Sequence, residues 1–493
     1  MVGFDKIPNS IRSPLFYVEF DPSKANSGQQ NARALLIGQK LAAGTLASNV
    51  PQLVTSLAAA KAGAGAGSVL AQMYEAYRLN DAVGEVWVLP LTDNAGGAQA
   101  AGTITFGGPA TGNGTIQLYI GGRRLSVGVL AGDTAAEIAT ATAAAITAAT
   151  DLGVTAVVDG EEDTQVNVTA KHKGTVGNDI DMRVNYAGAV GGEALPAGVT
   201  VTIVALSAGA TDPVLTTALA NLGDEEYDFI GLSFNDTTVL DQIKTVLDED
   251  TGRWSWSKQI YGLAFAAKRG SVGTLATFGL TRNDKAVSVM GFADSPSPYW
   301  EWASAYCAQA AVSINAHPAR PLQTLPLVGI KAPPLASRFI LTERETLLHD
   351  GIATFMVSSD GTVRISRDIT TYQENLYGQP DDAWLDVPTL SIGWTFVRRM
   401  RSAITTKFPR HLLAQDGTRI GEGQPIATPK IIMAELVSEY LGMERDGIVQ
   451  DVDYFIENTI VEIDSTNKNR LNVLATPAFM RQLRIFASRV QFV

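Results

Sequence analysis

Cysteine, histidine and charge are scarce in this 493-residue chain, and each shortage excludes something. The lone Cys307 rules out an intramolecular disulfide framework and any cysteine-rich zinc site. It fits a chain made in a reducing cytoplasm. The four histidines, His172, His317, His349 and His411, are too far apart for a local zinc motif. Charged residues make up only 18% of the chain, which suits a surface largely covered by neighbours. No apolar run approaches ~20 residues, so no spanning helix is expected. Met1–Pro14 carries Asp5, Lys6 and Arg12 and no apolar leader core. A net charge of −12 argues against a general nucleic-acid binder.

Motifs of catalysis are also missing. Gly63-Ala64-Gly65-Ala66-Gly67-Ser68 follows the helical stretch Leu53–Lys61 and lacks a Gly-Lys-Ser/Thr, so it reads as a turn between helices. The carboxylates of Asp159-Gly160-Glu161-Glu162-Asp163 lack EF-hand spacing and read as a solvated hairpin loop. No Gly-x-Ser-x-Gly elbow occurs. His349-Asp350 reads as structural, and Cys307, in an apolar helical run, as a buried inert thiol. No catalytic, cofactor-binding or metal-ligating residue is expected.

What is present is a 46% hydrophobic chain with a segmented rhythm. Ala32–Ile37 and Glu85–Pro90 read as buried strands, with helical periodicity at Val50–Ala59 and Ser68–Leu79. From Thr92 to about Gly209 the composition shifts to Gly, Thr, Ala and Val in short runs, with one helix at Thr134–Thr150. The strand–helix rhythm resumes with strands at Tyr227–Phe234, Ile260–Ala267 and Ala286–Gly291. Helices follow at Ser271–Leu280 and Pro298–Asn315. The reading is one discontinuous α/β domain, 26–91 plus 211–330, with a mostly parallel sheet and a β-rich domain, 92–210, inserted in it. Prolines 318, 321, 326, 333 and 334 lead into a C-terminal α+β domain, 331–480. There a hairpin is expected around Ser358-Ser359-Asp360-Gly361, and helices at Ser391–Lys407 and Lys430–Leu441. Strands are expected at Asp453–Ile463 and Leu471–Leu474.

Both ends read as isolated strands. Leu15, Phe16, Tyr17, Val18 and Phe20 lie in an arm, 1–25, bracketed by turn residues. Arg484, Phe486, Val490 and Phe492 alternate with other residues in a second arm, 481–493. A strand without a local partner must find its sheet elsewhere. Charge is also segregated. Residues 92–330 hold 13 basic and 24 acidic side chains, nearly all the acidic excess. Against that background Arg398, Arg399, Arg401, Lys407 and Arg410 crowd a stretch without acids, and Arg481, Arg484 and Arg489 the C-terminal arm. Such clusters suit docking on an acidic partner.

Motifs spread along the chain carry a family likeness. They include Phe4-Asp5-Lys6-Ile7-Pro8, Leu348-His349-Asp350-Gly351-Ile352-Ala353 and Asp360-Gly361-Thr362-Val363-Arg364-Ile365. Ile369-Thr370-Thr371-Tyr372, Lys407-Phe408-Pro409-Arg410 and Arg481-Gln482-Leu483-Arg484-Ile485-Phe486-Ala487 follow in order. The chain resembles the tail sheath proteins of Mu-like contractile-tailed phages over essentially its full length. The resemblance implies a non-enzymatic subunit without cofactor that stacks as hexameric discs around a tail tube and contracts to drive the tube through the host envelope. It implies an inner layer built from the last domain and the N-terminal arm, outward-facing inserted and middle domains, and arms that enter the sheets of neighbouring subunits. Its implied partners are other copies of the chain, the tube protein, and baseplate and tail terminator proteins, with no nucleic acid and no membrane insertion. Its place is the virion, after assembly in the host cytoplasm. A tailocin or related injection device is an alternative setting. A nucleotide-binding α/β enzyme is the alternative of another class.

Overall fold

The computed structural model describes residues 32–419, 421 and 423–492. The Leu15–Phe20 strand expected from the sequence lies outside the described residues.

At the centre is a six-stranded sheet ordered Val287–Phe292, Leu263–Arg269, Phe229–Leu232, Arg33–Gln39, Glu85–Leu91, Gln52–Leu53. The first five run parallel and the last antiparallel. Phe229–Leu232 and Val287–Phe292 are buried at every position, as parallel strands covered on both faces must be. The helix Tyr299–Ala316 packs on this sheet and against the helix Val69–Asn80, so it is buried almost all round. That explains its run of alanines and aromatics, with Cys307 fully buried among them. The helical reading of Val50–Ala59 is corrected. Gln52–Leu53 pairs with the Glu85–Leu91 strand, and the helix runs from Leu57 to Ala64 behind its Ser56 cap. Gly65 and Gly67, at φ +92° and +78°, turn the chain into the next helix, so the glycine run is indeed a turn.

The β-rich segment leaves this sheet after Leu91. Ala98 and Ala210 exchange backbone hydrogen bonds of 3.0 and 3.2 Å and close the neck of the insertion. Inside it are a four-stranded antiparallel sheet (Thr200–Ser207, Gln99–Gly107, Gln165–Lys173, Val154–Val158) and a three-stranded one (Arg123–Val129, Gly114–Ile120, Met182–Val184). The helix Ala135–Ala148 packs on them, opened by a Thr134/Glu137 capping box.

The main hydrophobic core continues past 331. The hairpin Thr354–Val357/Val363–Arg367 joins the sheet edge, where Ala353 N donates to Val289 O at 2.9 Å. Ile365, Ile369, Leu390 and Trp394 belong to that core. A second core gathers Ile392, Phe396, Ile432, Leu436, Tyr440, Met443 and Phe455. The helix Val387–Lys407 therefore serves both cores, turning Trp394 toward Phe229 and Trp254 and Phe396 toward Tyr440 and Phe455. The expected strand Asp453–Ile463 is corrected. Asp451 caps a helix, Val452–Asn458, which buries Phe455 on Tyr440, and only Ile460–Ile463 is strand, paired with Leu471–Leu474. An apolar run as short as Tyr454-Phe455-Ile456 fits either element, and the Asp451 cap decides it.

Candidate assembly surfaces

The C-terminal arm is fastened to the second core before it leaves it. Ala478–Phe479 pairs antiparallel with Val449–Gln450, and Met480 N donates to Ile448 O at 3.0 Å. The buried Tyr440 hydroxyl donates to Gln450 O at 2.7 Å and accepts from Ala478 N at 3.0 Å. Beyond Met480, through residue 492, the backbone forms neither helix nor strand among the described residues. The alternating strand expected at this end is not formed there: every residue from Ile485 to Phe492 is exposed, Phe486 84% and Phe492 93%.

Arg484 differs from its neighbours. Its side chain is 8% exposed and points back into its own subunit. Nη1 and Nη2 straddle the fully buried Asp368 carboxylate at 2.7 and 3.2 Å, and Nη2 reaches Asp386 at 3.1 Å. Burial alone would lower the Arg484 pKa, but the two carboxylates outweigh it and hold the group above its ordinary value.

The basic stretch at 398–410 is free of acids in sequence and rich in them in space. Arg398 Nη2 meets Asp228 at 2.6 Å and Glu226 at 3.1 Å, tying the 387–407 helix to the central sheet. Arg399 pairs with Asp446 at 2.6 Å and Glu439 at 3.6 Å, both from the region of the Pro429–Arg445 helix. Lys407 pairs with Glu435, which raises its pKa through that hydrogen bond. Among the described residues Arg401 makes one side-chain hydrogen bond, to Gln259 at 3.3 Å. Arg410 is exposed and has no ion pair among the described residues. The five side chains thus do not form one free patch.

A lattice of ion pairs missed by sequence reasoning seals the insertion to the central domain. Arg269 clasps the buried Asp179, Arg183 meets Asp294 at 2.9 Å, and Lys61 meets Asp151 at 2.7 Å. Arg123 lies between Glu75 at 2.7 Å and Glu301 at 3.5 Å. Glu301 sits on the almost wholly buried 299–316 helix, and burial pushes its carboxyl up to about 7 despite Arg123. These partners are 90 or more residues apart except in the Arg123–Glu75 pair. The single available signal was an acid inside an otherwise apolar helix. His172 closes the same seam, bridging Asp93 at 2.7 Å and Val69 N at 3.2 Å. Among the described residues no group of three or more His, Cys, Asp or Glu side chains could hold a metal, and no helix is long and apolar enough to cross a membrane.

Residues 208–371 match the family described as phage tail sheath protein central domain, and residues 379–493 the phage tail sheath C-terminal domain. The whole chain is 39% identical to the Mu-like prophage FluMu tail sheath protein of Haemophilus influenzae over 494 residues, covering 100% of this chain and 99% of that one. The chain belongs to the phage tail sheath protein family. Among solved structures it is similar to the sheath tail protein of Desulfitobacterium hafniense, with 11% identity, a TM-score of 0.46 and coverage of 94% of this chain and 100% of that one. It is also similar to the helical sheath of the anti-feeding prophage in its contracted state, with 12% identity, a TM-score of 0.49 and coverage of 98% and 99%. In this sheath protein the central-domain match runs on to residue 371, as the main core does across the 330/331 boundary read from composition. The C-terminal match takes in the second core, the basic helix and the arm. The inserted β module falls almost wholly outside both matches.

Proposed function

We propose that this sheath protein polymerises with copies of itself as hexameric discs around a tail tube, and that contraction of the polymer drives the tube through the host envelope. The observation that carries the linking step is the C-terminal arm. Among the described residues it leaves the folded body without a sheet partner, and it exposes Leu483, Ile485, Phe486, Val490 and Phe492. Apolar side chains so displayed and an unpaired backbone suit addition to a sheet of a second copy. Residues 14–20 are assigned the corresponding role at the N-terminal end, from their alternation of apolar side chains. The extended sheath is read as a metastable packing. A gain of only ~2 kcal/mol per subunit, the scale separating alternative packings, sums over a long polymer to a large driving energy.

The acidic insertion is assigned to the outside and the C-terminal domain to the tube side, where tail-tube, baseplate and terminator proteins are the partners. Arg401 and Arg410, the least engaged of the basic cluster, are the assigned tube contacts. The setting is the virion, with assembly in the host cytoplasm. Removing residues 485–493 tests the linking role. The expected product is a folded subunit that forms no sheaths by electron microscopy, and long regular tubes from the truncated chain would refute it. A gold-binding tag in the exposed Glu161–Asp163 loop tests the radial order: label is expected on the outer rim, and label lining the lumen would reverse it.

A further inference from the structure

We propose that Arg484 is an internal latch: it fixes where the C-terminal arm departs from its own subunit and does not cross to a neighbour. Three segments meet at its guanidinium. Asp368 follows the Val363–Arg367 strand, Asp386 precedes the 387–407 helix, and Arg484 comes from the arm. With Arg367, which reaches Asp386 at 3.4 Å, the cluster holds two positive and two negative charges. Asp386 stands at a helix N-cap, where aspartate ordinarily accepts from the helix's own first N–H groups, yet it makes no such bond. Its carboxylate is turned to the two arginines instead. Asp368 is wholly buried, and a buried carboxylate keeps its charge only against a well-placed cation. Arg484 supplies that cation through a two-pronged contact.

The consequence concerns reach and register. With the latch closed, the free arm begins at Ile485. With it open, the arm keeps only a long, exposed hydrogen bond from Gln323 Nε2 to Leu483 O at 3.5 Å, and the last firm point falls back to the strand ending at Phe479 and the hydrogen bond of Met480. About four residues are added to the tether, up to about 14 Å of slack. A slack tether lowers the effective concentration of the arm at a neighbour's sheet edge and loosens the register at which it adds. Arg484 is thus a positioning residue. The inference rests on the linking role of the arm, and its structural half can be tested without it.

The protein lends itself to that test, because Cys307 is fully buried and a cysteine placed at the exposed Leu483 is the site a nitroxide reaches. In unassembled Leu483→Cys protein the label should be restrained. Adding Arg484→Ala should shorten its correlation time by about threefold or more, toward that of a free chain. Arg484→Lys should lie between. Asp368→Asn, which removes the charge and keeps the shape, should reproduce Arg484→Ala and serves in its place if that variant does not fold. An unchanged spectrum in a folded Arg484→Ala or Asp368→Asn protein overturns the latch. In the full chain without the label, Arg484→Ala should lower sheath yield about tenfold. Normal sheaths from a subunit whose label reports a freed arm overturn the positioning role. Assembly by the chain lacking 485–493 would instead count against the linking role and leave the spectroscopic result standing.

Discussion

Glu301→Gln should make this protein less sensitive to pH, and the structure sets the size of the effect. Glu301 is buried at the seam between the insertion and the central domain, and burial lifts its pKa from an ordinary 4.5 to about 7. A raised carboxyl pKa means that the folded state holds a proton that the unfolded chain has already lost. Stability is then undiminished below the unfolded value, falls as pH rises through the window from 4.5 to about 7, and is level above it. At 1.36 kcal/mol per unit, the full penalty is about 3 kcal/mol. Glutamine keeps the shape, carries no charge at any pH, and leaves Arg123 its 2.7 Å partner Glu75. Other titrating groups are common to both proteins and cancel in the difference. The stability of Glu301→Gln relative to the parent should therefore grow from under about 1 kcal/mol at pH 5 to about 3 kcal/mol at pH 8. Urea unfolding followed by tryptophan fluorescence reads this directly, since Trp300 and Trp302 flank the site in the core. A difference that stays flat between pH 5 and pH 8 would refute the reasoning, because burial could not then be penalising the charge.

Three further outcomes are expected. Phe455→Ala removes a fully buried ring stacked 4.0 Å from Tyr440 and should cost about 3–5 kcal/mol, measured by denaturant unfolding of the subunit. Gly279→Ala would set a Cβ 1.9 Å from the Asp350 carbonyl, where only backbone movement relieves the clash. A loss of about 2 kcal/mol or more is expected in the same assay. Arg401→Glu with Arg410→Glu should impair assembly on purified tubes more than tube-free polymerisation, both scored by electron microscopy, and equal loss would reject tube docking by these side chains.

The strand–helix succession of the central domain was legible because its signals are local. Val287–Phe292 and Phe229–Leu232 are short apolar runs bounded by turn residues, and Ser68, Thr134 and Thr428 announce the helices they cap. The insertion was legible as a change of composition. Where the apolar pattern was too short to choose a period, at 50–59 and 453–459, the reading failed, and capping and sheet pairing decided the element.

The sequence by itself therefore determined most of the order of elements and the family, because each follows from neighbours along the chain or from motifs in order. What only the tertiary structure decided is which charges are free. Arg398 and Arg399 sit in a stretch without acids, yet they meet Asp228 and Asp446, 170 and 47 residues away. Arg484 lies in an alternating pattern that makes it one more residue of an arm, yet it turns inward to Asp368. A charge is paired through space, and distance in space between residues so far apart is set by the folding of everything between them.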